Sequence, residues 1–79
     1  MSLDIKSKIF TIVAQVIHKA AEEIESEALF ADLGIGEFDL IEIMMKIEDQ
    51  FSIILDDAKI TDFATVQHII DHVTELLED

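Results

Sequence analysis

Apolar residues recur along this chain at spacings of three and four, and the pattern predicts three substantial helices. Leu3, Ile5, Ile9, Ile12, Val13, Val16, Ile17 and Ala20 place a first helix over about Leu3 to Lys19. Ser2 is its expected N-cap, with Asp4 in the first turn suiting the helix dipole. Ala21 to Ala31 reads as a polar, partly helical connection anchored by Ile24, Leu29 and Phe30. A glycine-bearing loop, Asp32-Leu33-Gly34-Ile35-Gly36, precedes a second helix from about Glu37 to Phe51. Ser52 to Thr61 is ambiguous. Ile53-Ile54-Leu55 has strand character but no second strand to pair with, so an irregular link and a short helix within Asp56–Asp62 are expected. Thr65 is placed to cap a last helix carrying Val66, Ile69, Ile70, Val73, Leu76 and Leu77. The expected fold class is all-α, a small bundle of three long helices plus one short one.

The second helix has more apolar surface than a core requires. Leu40, Ile43, Met44, Ile47 and Phe51 fall on one face of a helical wheel, the expected core side. Phe38, Ile41 and Met45 form a second stripe roughly 130° away. Glu42 and Asp49 border that stripe on one side and Glu48 on the other. The stripe packs beneath a neighbouring loop, or it meets a partner.

Length bounds the answer to one domain spanning 1–79, with a stability on the order of 4–12 kcal/mol. Eighteen acids against five lysines, with no arginine, give a formal net charge of −13. That charge excludes nucleic-acid backbones and anionic membrane surfaces as partners and favours a basic-surfaced protein. No apolar run approaches membrane-spanning length, so no membrane insertion is expected and a cytoplasmic monomer is the default. Without cysteine there is no disulfide framework, thiol chemistry or cysteine metal site.

Candidate chemistry is sparse. His68 and His72 stand at i, i+4 beside Asp71 and Glu75, but no third convergent ligand is apparent. They read as surface histidines on a polar face, and no metal is expected. Asp32 to Ile43 fails as a calcium loop because its twelfth position is Ile43 rather than Glu. No nucleophile–base pair or phosphate-binding glycine motif is present, so the chain is not expected to be an enzyme.

Asp32-Leu33-Gly34-Ile35-Gly36-Glu37-Phe38-Asp39, running into Glu42, Met45, Glu48, Asp49 and Phe51, resembles the acyl carrier protein family. The hallmark of that family is D-L-G-x-D-S-L-D before an acidic helix ending E-E-x-F. Thr65-Val66-Gln67 matches the family's T-V-Q at the start of its last helix, and the resemblance spans essentially the whole chain. One deletion, between Ile24 and Asp32, interrupts it.

The resemblance implies a 4′-phosphopantetheine group on the serine of D-S-L, and that serine falls on Glu37. Transfer of the group needs a hydroxyl to attack the pyrophosphate of coenzyme A and leave a stable phosphodiester. A carboxylate would leave a labile acyl phosphate, so no cofactor is expected on Glu37. Gly36 replaces the motif Asp and Phe38 the motif Leu, and three departures together suit a natural divergent member better than a disabled mutant. Glu37 is read as a helix-stabilising charge, worth roughly 0.3–1 kcal/mol at the positive dipole end. The resemblance also implies that Glu37, Phe38, Asp39, Ile41, Glu42, Met45, Glu48 and Asp49 form a partner-docking face.

The expectation is thus an acyl-carrier-like protein acting without a prosthetic group, as a docking or regulatory partner in lipid or polyketide metabolism. The alternatives are a fatty-acid or polyketide carrier with an altered attachment site, and a non-covalent acyl-chain binder working between its second and last helices.

Overall fold

A computed structural model describes residues 2–55 and 62–78. Its elements are α1 (Ser2–Ile17), a 3₁₀ turn (Ala21–Glu23), α2 (Glu37–Phe51) and α3 (Val66–Glu78). The described residues hold no strand, and the all-helical class read from periodicity stands. The short helix expected within Asp56–Asp62 falls on residues 56–61, outside the described residues. No described helix is long and apolar enough to cross a membrane.

α1 is the helix that packs against both others. Ile9, Ile12, Val13 and Val16 bury one face of it, and α2 contributes Ile43, Met44 and Ile47. Val66, Ile69, Ile70 and Val73 come from α3, with Ile24, Phe30, Ile35 and Leu55 from the connections. Each fully buried aliphatic side chain stabilises the fold by about 1.5–3 kcal/mol relative to leaving it in water. Leu40 and Phe51 sit at the margins of the α2 core face, half-buried against this cluster.

Helix ends are made without proline and largely without glycine. His18 adopts φ 60° and Ser52 φ 56°, both left-handed. The Lys19 N–H then donates to the Ala14 carbonyl at 3.1 Å, and the Ile53 N–H to the Glu48 carbonyl at 3.2 Å. Each is a Schellman-type closure that satisfies a terminal carbonyl. The loop before α2 repeats the device with a glycine: Gly34 at φ 75° lets the Ile35 N–H reach the Phe30 carbonyl at 2.9 Å. Ile35 and Phe30 are both buried there.

The connection from Ser26 to Phe30 is tied to the start of α3. Leu29 and Thr65 form an isolated antiparallel bridge. The Phe30 N–H donates to the Ala64 carbonyl at 2.8 Å, and the Gln67 N–H to the Ser26 carbonyl at 2.7 Å. Thr65 caps α3 as expected, its Oγ1 accepting from the His68 N–H at 3.3 Å.

Several expectations need correction. α1 stops at Ile17 rather than Lys19, because the left-handed turn at His18 breaks the helix; Ala20 and Lys19 are consequently exposed. Ser2 is the first residue of α1 rather than the cap before it. Leu29 is about half-exposed, since its backbone pairing with Thr65 turns the side chain away from the core that Phe30 enters. Leu76 and Leu77, in the last turns of α3, are exposed as well.

Candidate functional site

α2 begins at Gly36, whose extended backbone serves as N-cap. Gly36 has no side chain to bond the helix start, so only the reciprocal half of a capping box forms. Asp39 Oδ2 accepts from the Gly36 N–H at 3.3 Å. The Asp39 carboxylate is therefore half-buried and turned toward the helix start, while Glu37, the first helical residue, is exposed.

The second apolar stripe of α2 does not pack under a described loop. Phe38 is 85% exposed, Met45 63% and Ile41 50%. These three side chains form one wall of an open groove of about 780 Å³, whose other wall is Ile53 and Ile54 of the link after α2. Ile54 is 87% exposed. Glu42 and Asp49 stand exposed on the rim, with Lys46 between them.

Glu48 has a different position from the other acids. Its Oε2 accepts from the Leu55 N–H at 2.8 Å, part-buried, while its own carbonyl accepts the Ser52 and Ile53 N–H groups. One residue thus fixes the path of the link, and hence the groove wall formed by Ile53 and Ile54.

Sequence reasoning missed Ile54, Ile53 and Lys46 as groove residues. The signal was available for Ile54: in an extended link successive side chains point to opposite sides, so Ile53-Ile54-Leu55 could not all face the core. Leu55 is buried and Ile54 projects outward.

A second, smaller cleft of about 370 Å³ lies where the start of α3 meets Phe63. His68 Nδ1 accepts from the Ala64 N–H at 3.0 Å, and the Gln67 amide donates to Asp71 Oδ1 at 2.8 Å. His72 is not a surface histidine. It is only 7% exposed, its ring lies 5.5 Å from that of Phe63, and its Nε2 has no hydrogen-bond partner among the described residues. Position 72 adjoins Val73 and follows Ile69 by three, so the ring falls at the edge of the core face of α3 and Phe63 covers it. Among the described residues no three or more His, Asp or Glu side chains gather in a way that would hold a metal ion.

The groove joins exposed apolar side chains to a mainly acidic rim. Its functional groups are carboxylates, one ammonium, one thioether and hydrocarbon. Residues 7–73, spanning most of α1, the loop before α2, all of α2 and the start of α3, match the family described as phosphopantetheine attachment site. That span takes in the groove and the Asp32–Gly36 loop, and the chain belongs to this family of acyl-carrier-like domains.

Proposed function

We propose that the protein is an acyl-carrier-like domain that works without a prosthetic group, as a docking or regulatory partner of a basic-surfaced protein in acyl metabolism. Carrier domains of this kind are generally not catalytic, and the groups at the groove suit binding rather than bond-making. The observation that carries the reading is Glu37. It is the exposed first residue of α2, where the family's attachment serine falls, and it offers a carboxylate and no hydroxyl. Ser52 lies at the opposite end of α2, and Ser7 and Thr11 lie on α1. The residues present do not fit a phosphodiester-linked group.

The test is intact mass after incubation with coenzyme A and a broad-specificity phosphopantetheinyl transferase. The protein is expected to gain no mass, whereas Glu37→Ser is expected to be partly modified. Gly36→Asp should raise that rate by restoring the motif acid, and nothing lies within 4 Å of where a Cβ would stand. Phe38→Leu should raise it further. A mass gain by the unmutated chain overturns the reading.

A further inference from the structure

We infer that His68 is a pH-sensitive clasp: its neutral ring holds the start of α3 to the connection in front of α2, and protonation releases it. The inference concerns regulation and stands apart from what occupies the groove. The Ala64 N–H donates to His68 Nδ1 at 3.0 Å, and Thr65 Oγ1 accepts from the His68 N–H at 3.3 Å. This is a capping box that reaches one residue beyond the cap and is closed by an imidazole, where glutamate or glutamine commonly serves. The difference is chemical. A carboxylate or amide oxygen accepts throughout the neutral range, whereas Nδ1 accepts only while its lone pair is free, with the ring proton on Nε2. Protonation puts a hydrogen on Nδ1 opposite the Ala64 N–H, and the bond becomes a repulsion. It also adds a positive charge in the first turn of α3, at the positive end of the helix dipole.

Ala64 is where the clasp meets the rest of the fold. Its carbonyl accepts from the Phe30 N–H at 2.8 Å, and the Phe30 carbonyl accepts from the Ile35 N–H at 2.9 Å. Ile35 is buried and adjoins Gly36, the N-cap of α2. A run of hydrogen-bonded residues thus leads from one imidazole to the start of α2, with the Leu29–Thr65 bridge and the Gln67–Ser26 bond beside it. A protonated ring has other partners at hand. Asp62, Asp71 and Glu75 share its cleft with His72 and Phe63, whose ring lies 6.4 Å from that of His68. Glu25 and Glu27 stand exposed on the connection itself. The bond requires the neutral ring, so what it contributes is present above the imidazole range, about pH 6.5 in unstructured peptides, and is lost as pH falls through it.

The test is an NMR titration of the full chain from about pH 8 down to about pH 5, spanning the imidazole range. Ring nitrogen shifts are expected to show the Nε2–H form of His68 at the upper end, and the Ala64 amide should move with the same midpoint as the ring. Exchange protection at Phe30, corrected for the intrinsic effect of pH, should fall about fivefold across that midpoint, as loss of one ordinary hydrogen bond implies. His68→Gln keeps an acceptor at every pH, so both steps should vanish and Phe30 should stay protected. His68→Ala should show the low-pH protection already at the upper end, and His72→Leu should leave both steps in place. An Nδ1–H ring at the upper end, an Ala64 amide that does not follow the ring, level protection at Phe30, or steps that survive His68→Gln overturn the inference. Steps that vanish in His72→Leu assign the device to the buried histidine and overturn it as well.

Discussion

At the scale of single residues, Glu48 shows how one side chain can leave a surface and enter the architecture. Position 48 borders the exposed stripe on a helical wheel, so periodicity groups it with Glu42 and Asp49. Its carboxylate instead holds the Leu55 N–H. A part-buried hydrogen bond to a charged acceptor contributes on the order of 1–2 kcal/mol. Urea unfolding of Glu48→Ala should show a loss of that size, and Glu42→Ala a change under about 0.5 kcal/mol. Equal losses would mean that the Glu48–Leu55 contact contributes nothing. The outward face of α2 was legible in the sequence because helical geometry is periodic. The fate of Glu48 was not, because it depends on where the chain goes after the helix ends.

His72 makes the same point inside the fold. A histidine four residues from another reads as polar surface, and nothing local reveals that Phe63 closes over it. Its buried Nε2, without a hydrogen-bond partner among the described residues, carries a desolvation cost that an apolar side chain of similar volume avoids. His72→Leu should therefore raise the urea midpoint, by about 1 kcal/mol in stability. A drop would show that the ring makes polar contacts that the apolar residue cannot replace.

At the scale of elements, helix interiors were easier to read than their ends. The patterns at Ile9 to Val16, Ile43 to Ile47 and Val66 to Val73 each name a buried face correctly. The end of α1 was misplaced because the residue that turns left-handed is His18, with no glycine to announce it. A non-glycine residue in that conformation carries strain of about 1 kcal/mol. His18→Gly should recover roughly 0.5–1 kcal/mol, visible as a higher thermal midpoint, and no change would argue that the imidazole is making up the difference locally. Thr65, legible as a cap, is an opposite case: Thr65→Ala should cost about 1 kcal/mol through the lost bond to the His68 N–H.

For the molecule as a whole, charge is the property composition gave directly. Eighteen acids in 79 residues repel one another most when the chain is compact. Raising NaCl from about 0.05 to 0.3 M, or adding millimolar Mg²⁺, screens that repulsion. The thermal midpoint should climb by about 4–8 °C for each 1 kcal/mol recovered in a domain of this size. A flat response would mean that the acids are already far enough apart.

The ties from Ser26 and Phe30 to Gln67 and Ala64 have a consequence for the order in which the protein assembles. Helices close on neighbouring residues within microseconds, but these two bonds join parts of the chain far apart in sequence, and closing such a loop costs entropy that grows only slowly with its length. The connection leading to the start of α2 is thus fastened only where α3 has docked against it. Amide exchange at Phe30 and Gln67 should then require the two segments to part, and be slower than in the first turn of α1, which frays independently. A truncation that removes α3 takes Val66, Ile69, Ile70 and Val73 out of the shared core together with these ties, and is expected to unfold the domain rather than free one loop.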